Sequence, residues 1–188
     1  MGKIALVIGV VVLLVVVVLG IAAIVSYNRL VNLQEQVNSS WAQVDTVLQR
    51  RYDLIPNLVN TVKGYAKQES SVLTEITRLR SQWGEAKTPA ERTQAATGLE
   101  GALSRLMVVV ENYPELKSNQ NFMALQDELA GTENRIAVER RRYNQTVQIY
   151  NQSLRRFPTN LVAGLLGFDA RPYFEAGTAA RQAPTVQF

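Results

Sequence analysis

The chemistry open to this chain is limited by two residue types that it lacks. None of its 188 residues is a histidine or a cysteine, so the commonest general base, the commonest metal ligand and every thiol nucleophile are missing. The sequence also offers no glycine-rich phosphate loop and no nucleophile placed beside a base. We therefore predict that the protein is not an enzyme, and that it has no catalytic residue, metal or cofactor.

Four charged residues interrupt helix faces that are otherwise apolar. Two are basic and two are acidic: Arg51, Arg140, Glu69 and Glu133. An unpaired charge is very costly to bury, so we expect these residues to form interhelical ion pairs that fix the register, or to reach solvent with their long side chains. The alternative is a buried site for a small ligand or ion. A metal held by the two glutamates is its least favoured form, because histidine is absent.

Long helices must position these charges. From Val37 onward, apolar residues recur at alternating spacings of four and three, which predicts a narrow seam like that of a coiled coil. We predict an all-α chain in which an N-terminal anchor at residues 1–26 continues as a helix into a bundle of four long helices within residues 27–157. The predicted helices cover residues 27–51, 55–83, 89–112 and 119–156, and a largely irregular tail covers residues 158–188.

The third helix has the clearest start, with Thr88 as N-cap, Pro89 at the first position and Glu91 completing a capping box. For the fourth helix, Ser118 or Asn119 is the candidate N-cap.

The boundary between the first two helices depends on Pro56. Proline has no N–H to donate and disfavours a helical residue before it, so we favour a turn near residues 51–55. The apolar pattern continues in phase through this proline, and one long kinked helix is the open alternative.

The N-terminal region is the most apolar part of the chain. An uncharged run begins at Ile4 and ends at Val25, and as a helix it would span about 33 Å, against about 30 Å of hydrocarbon in a bilayer. We predict a single transmembrane helix. A cleaved signal peptide is the alternative, since residues 20–22 fit a cleavage site loosely. Lys3 and Arg29 flank the run on opposite sides, so the positive-inside rule leaves the orientation undetermined.

The net charge of the chain indicates which classes of partner it binds. The net charge is +4, from 20 Lys and Arg against 16 Asp and Glu, and it is spread along the sequence. Nucleic-acid binding normally requires a concentrated basic patch with aromatic residues among the charges, so we expect no nucleic acid. A lipid bilayer is the expected partner, and anionic head groups are compatible with this charge.

The number of helices determines whether the tail lies near the membrane. If four helices alternately leave the membrane and return, the tail comes back to the bilayer, whereas three helices would leave it far away. The tail contains an apolar cluster at residues 161–168, which lies in the membrane interface, packs on an anchor, or packs on its own bundle. The residues expected to contact lipid or a second subunit are Leu161, Leu165, Leu166 and Phe168, with Arg155 and Arg156 at the lipid phosphates.

The chain resembles the bacterial LemA family in three segments, in the family's order. They are RRYDLIPNLVNTVKGYA from residue 50, ENYPELKSNQNFMALQDELAGTENRIAVERRRYN from residue 111 and FPTNLVAGLLGF from residue 157. Together with the anchor, the resemblance covers nearly the whole chain. It implies an up-and-down four-helix bundle in a bacterial membrane protein, and it supplies no activity and no catalytic residues.

Two non-enzymatic functions follow as hypotheses. The first is a membrane-anchored scaffold that self-assembles into a homo-oligomer through its helices and tail. The second is a membrane-tethered adaptor that binds another protein through its bundle, or through an extended strand at residues 185–188 by β-augmentation. An enzyme is the third and least favoured hypothesis, because of the missing residue types.

Overall fold

The computed structural model of the chain describes residues 2–66 and 68–174, apart from the side chains of Lys3 and Ala5. This part of the chain is all-α and contains no β-strand. The strand predicted at residues 185–188, with the rest of the tail beyond residue 174, lies outside the described residues. The helices are α1 (Gly2–Tyr65), α2 (Ser70–Glu85), α3 (Pro89–Val110), α4 (Pro114–Lys117), α5 (Gln120–Leu154) and α6 (Thr159–Leu166).

Contacts divide the chain into two units. The first unit contains α1 as far as Ser40 together with Tyr143–Tyr173, and the second contains Trp41–Arg142 together with Phe174. Helices α1 and α5 therefore contribute to both units. The predicted fold class is confirmed, since an apolar N-terminal helix continues without a break into a helical bundle.

The second unit is a bundle of four helices, formed by parts of α1 and α5 with α2 and α3. Arg51 contacts Glu133, and Tyr65, farther along α1, contacts Asn119 at the start of α5, so α1 and α5 run antiparallel. Helices α2 and α3 form a hairpin around the short loop at residues 86–88. Apolar side chains buried in this unit include Val44, Leu48, Ile55, Leu58, Val62, Leu73, Ile76, Leu99, Leu103, Leu106, Phe122, Leu129 and Ile136.

The first two helices predicted from the sequence, at residues 27–51 and 55–83 with a turn between them, are wrong. Helix α1 continues through Pro56, as the alternative interpretation allowed. Proline has no N–H for the carbonyl oxygen four residues earlier, which belongs to Tyr52. Nε of Arg80, on α2, donates a hydrogen bond to that oxygen at 3.4 Å. The carbonyl therefore keeps a partner, and the helix carries its apolar face through the proline.

The chain reverses later than predicted, after Tyr65. The N–H of Glu69 donates to the carbonyl oxygen of Ala66 at 3.2 Å, which closes a tight turn. Gly64 weakens the helix just before this turn, and Ser70 opens α2 at a position that serine prefers to a helix interior. Because α2 remains a separate helix, the described residues still contain four long helices, which are α1, α2, α3 and α5.

The helix starts that depend on capping are confirmed. At α3, the hydroxyl of Thr88 accepts a hydrogen bond from the N–H of Glu91 at 3.2 Å, and the Glu91 carboxylate accepts one from the N–H of Thr88 at 3.0 Å. At α5, the side chain of Asn119 accepts a hydrogen bond from the N–H of Phe122 at 3.0 Å. Both helices end within two residues of their predicted ends.

The first unit contains a helix that the sequence did not predict. The tail was expected to be largely irregular, yet α6 occupies its first part and buries Val162 and Ala163. The helix ends at Gly167, whose φ of 71° is left-handed and favours glycine. On α1 and α5, the buried apolar side chains of this unit are Leu30, Leu33, Val37, Tyr143, Val147 and Tyr150.

Among the described residues, α1 is the one helix whose length and composition suit a membrane span. Its most apolar stretch has a mean hydropathy of 3.4, and none of it is buried by the other parts of the chain that the structure describes. A soluble core helix of this length would be covered by other elements. The exposure of α1 therefore favours the predicted transmembrane segment over a core helix.

Candidate functional site

An ion pair joins α1 to α5 in the second unit. Arg51 is 7% exposed, and its Nη1 donates to a carboxylate oxygen of Glu133. The neighbouring Arg50 pairs with Glu128 at a much more exposed position, where the two side chains are 55% and 39% exposed. Arg51 and Glu133 are thus brought together at the bundle interior, while Arg50 and Glu128 form the surface counterpart.

Arg140 finds its carboxylate on a different helix from the one that Arg51 uses. Its guanidinium donates to Glu100, on α3, at 3.4 Å. The same guanidinium lies 4.5 Å from the ring centroid of Phe174, and that ring packs against Trp41 with centroids 6.3 Å apart. Arg140 on α5 therefore contacts both Glu100 on α3 and Phe174, all within the second unit. No pattern in the sequence pointed to Glu100 or Phe174 as its neighbours.

Glu69 is not paired with the other charges singled out from the sequence. It precedes α2, and its carboxylate accepts a hydrogen bond from the hydroxyl of Tyr113 at 3.2 Å. Burial, together with this hydrogen bond, raises the pKa of Tyr113. Glu69 and Glu133 do not form a carboxylate pair, and the described residues contain no group of three or more acidic side chains that could hold a metal ion.

A stacked aromatic pair lies beside these charges. The rings of Tyr52 and Trp83 are 4.2 Å apart with an interplanar angle of 15°, and the guanidinium of Arg92 lies 5.0 Å from the Trp83 centroid while pairing with Asp45. Tyr52 is 2% exposed, and burial raises its pKa far above the usual range despite the neighbouring arginines. A phenol held neutral in this way is suited to packing rather than to proton transfer.

In the first unit, the apolar cluster of the tail meets the end of the apolar run. The rings of Phe168 and Tyr27 are in edge-to-face contact, with centroids 6.0 Å apart and an interplanar angle of 71°. A cavity of about 580 Å³ opens beside this contact and is lined by Gln34, Tyr150 and Arg171. The other tail residues predicted as contact sites are all exposed: Arg155, Arg156, Leu161, Leu165 and Leu166.

Two residues of α5 hold the segment after α6, and sequence reasoning missed both. The amide of Asn151 donates to the carbonyl oxygen of Arg171 and accepts from its N–H, each at 2.9 Å. The hydroxyl of Tyr143 donates to the carbonyl oxygen of Pro172 at 3.1 Å. The signal that could have found them is the Tyr-Asn pair that recurs at residues 143–144 and 150–151, seven residues apart.

The comparisons with known proteins agree with one another. The model of the LemA family matches residues 40–188. The chain is 28% identical to magnetosome protein MamQ 1 of Paramagnetospirillum magneticum, covering 87% of this chain and 71% of that protein. It is 27% identical to magnetosome protein MamQ of Magnetospirillum gryphiswaldense, covering 79% of this chain and 64% of that protein. It is 25% identical to protein LemA of Metamycoplasma hominis, covering 82% and 71%.

An exposed apolar helix that continues into an antiparallel helical bundle defines a class of membrane-associated helical proteins. Within that class, this chain belongs to the LemA family, whose model covers well over half of its length.

Proposed function

We propose that this chain is a non-enzymatic, single-pass protein of a bacterial cell membrane that self-assembles into a scaffold. The observation that carries the proposal is the continuity of α1, which is a single helix from Gly2 to Tyr65. Nothing among the described residues covers the apolar part of this helix. It is therefore available to lipid and to the same helix of a second copy.

The residue content supports a structural role over a catalytic one. Arg51, Arg140 and Arg92 each pair with a carboxylate on another helix, which fixes helix register rather than preparing a reactive group. The relatives named above come from bacteria, which supports a bacterial membrane as the location. Two of these relatives are named magnetosome proteins, and for this chain we take those names only as support for membrane association.

Cross-linking in native membranes tests self-assembly directly. The chain has no cysteine, so single cysteines placed in turn at residues 10–17 give no background disulfides. If copies associate through one face of the span, oxidative dimers will peak about every 3.6 residues. A matched series at exposed positions of the bundle controls for random collision. Uniform or absent cross-linking along α1, together with a monomeric mass by light scattering in detergent, would overturn the proposal.

An adaptor is the second candidate, and a groove in the second unit favours it. The groove has a volume of about 530 Å³ between α3 and α5, and it combines apolar side chains with Arg51 and Glu133 at its edge. A partner helix could place an apolar face there. Cross-linking in cells from a single cysteine at Met107, which lines the groove, would yield a reproducible foreign adduct for an adaptor and self-adducts for a scaffold.

A further inference from the structure

One face of α6 is apolar and is left exposed by the described residues. The helix buries Thr159, Val162 and Ala163 against its own unit. On the other side, Leu161 is 56% exposed and Leu165 is 85% exposed. These two leucines are four residues apart and therefore lie on the same face of the helix. Two more large apolar side chains are exposed, Phe157 just before α6 at 78% and Leu166 at its last position at 56%.

The position of α6 is fixed at the end of the apolar run of α1. Val25, the last residue of the run, is 61% exposed, whereas Ser26 is only 6% exposed. The packed part of the first unit therefore begins where the run ends. Phe168 contacts Tyr27 one residue later, with ring centroids 6.0 Å apart. Because the eight residues of α6 rise about 12 Å and α6 ends two residues before Phe168, all of α6 lies within roughly that length of the contact with Tyr27.

Three arginines lie near α6 or near Tyr27 in the sequence. Arg155 and Arg156 directly precede Phe157, and Arg29 follows Tyr27 by two residues. All three arginines are exposed. Asp169 is the acidic residue next to α6 in the sequence, so the arginines leave a net positive charge here. Anionic phosphates at the level of an interfacial tyrosine complement such a set.

We infer that α6 is a second, interfacial membrane contact. Leu161 and Leu165 face the acyl chains of an anionic phospholipid bilayer, and Arg155 and Arg156 bind its phosphates. The tail is thus attached to the same leaflet surface from which α1 emerges. The inference depends on the membrane anchoring proposed above, and it is independent of self-assembly.

Depth-dependent quenching tests the inference in the full-length chain reconstituted in liposomes. An environment-sensitive label is attached to single cysteines at residues 165, 160 and 15, and the lipids carry a nitroxide near the head-group end of the acyl chain. Asn160 is the matched control, because it is exposed on another side of α6. The label at residue 165 will be quenched several-fold more strongly than the label at residue 160. Circular dichroism and thermal melting establish that each variant is folded.

The other outcomes are distinct from one another. If the label at residue 15 is protected in a lipid setting while the label at residue 165 reports water, the interfacial contact is overturned and the anchoring stands. If both labels report water, the anchoring fails as well. If the label at residue 165 reports an apolar setting without quenching by lipid, and loses it on dilution of protein in lipid, a second copy covers α6 and the inference is again overturned.

The arginines provide a separate arm. R155Q/R156Q will remove the excess of quenching at residue 165 in anionic over zwitterionic liposomes, whereas R155K/R156K will retain it, because lysine keeps the charge. An unchanged dependence on anionic lipid in the glutamine variant would show that these arginines do not contact the phosphates.

Discussion

Arg80 donates a hydrogen bond from Nε to the carbonyl oxygen of Tyr52, at 3.4 Å. The two residues lie on different helices, and the oxygen is the one that Pro56 leaves without its usual donor. A side chain of α2 thus replaces a backbone group of α1. This contact explains how a 64-residue helix includes a proline in its interior.

The replacement predicts that Arg80 and Pro56 are coupled energetically. Arg80→Met should lower the free energy of unfolding by about 1 kcal/mol, because a buried carbonyl oxygen loses its partner. Pro56→Ala restores the backbone N–H, so the same substitution in that background should cost much less. A double-mutant cycle by urea denaturation measures the coupling. Equal costs for Arg80→Met in the two backgrounds would contradict the replacement.

The Arg51–Glu133 pair should be worth more than its surface counterpart. Glu133→Gln leaves the nearly buried Arg51 guanidinium without its carboxylate and should lower the free energy of unfolding by about 2 kcal/mol. The cost is smaller than for a fully buried ion pair because the Glu133 side chain is 36% exposed. Glu128→Gln, at the exposed Arg50 pair, is the matched control and should cost less than about 1 kcal/mol. Chemical denaturation of both variants checks the order, and a reversed order would refute it.

Two glycines of α3 should respond differently to alanine. A Cβ atom at Gly98 would lie 2.8 Å from a terminal methyl of the buried Leu79, whereas a Cβ at Gly101 would meet nothing within 4 Å. Gly101→Ala should therefore stabilise the protein by about 1 kcal/mol through helix propensity. Gly98→Ala should be less stable than Gly101→Ala by at least about 1 kcal/mol, because Leu79 must move. Thermal melting compares them, and equal stability would show that α2 and α3 are not closely packed here.

Asn151 should hold the segment after α6 without affecting the second unit. Asn151→Ala removes both hydrogen bonds to Arg171 and should weaken local protection by about 1–3 kcal/mol. Hydrogen exchange of residues 168–173 measures this, with amides of α2 and α3 as the internal control. Asn151→Asp keeps the acceptor for the Arg171 N–H. In this variant, the protection of residues 168–173 should fall between that of the native chain and that of Asn151→Ala. Unchanged exchange in Asn151→Ala would exclude the role.

The capping box of α3 should make stability depend on pH at the acidic end. The backbone N–H groups of Lys87 and Thr88 donate to the Glu91 carboxylate and lower its pKa below the ordinary value of 4.5. The stabilisation is therefore complete above the unfolded pKa and is lost as the pH falls through the folded pKa. The difference in melting temperature between the native chain and Glu91→Gln should shrink over that acidic range. A difference that stays constant with pH would contradict this assignment.

The sequence predicted best what neighbouring residues decide. The capping box at Thr88 and the Asn119 cap of α5 are local hydrogen bonds between residues three apart, so their signals are complete within a short segment. The unbroken α1 was harder, because local chemistry at Pro56 argued for a turn and the compensating donor, Arg80, is 24 residues away. The in-phase apolar pattern was the better guide there.

The site was predictable only in part. Arg51 and Glu133 were identified as candidates from their interruption of apolar faces, and the structure brings them together. The partner of Arg140, Glu100, could not be chosen because it depends on the rotation of α3 about its axis. Helix α6 was missed because its apolar run is short and its start has no side-chain cap, although Gly167 marked its end.

The contact between Tyr27 and Phe168 has a consequence for the order of folding. The two rings are separated by 141 residues of chain (168 − 27) and meet 6.0 Å apart. A contact of such long sequence separation forms only after its chain entropy has been offset by earlier structure. During synthesis the apolar run emerges before α6, so in the membrane-anchored protein proposed above the insertion of α1 precedes the closing of this contact. On that proposal, the bilayer surface would already be beside Tyr27 when Phe168 and α6 pack against it.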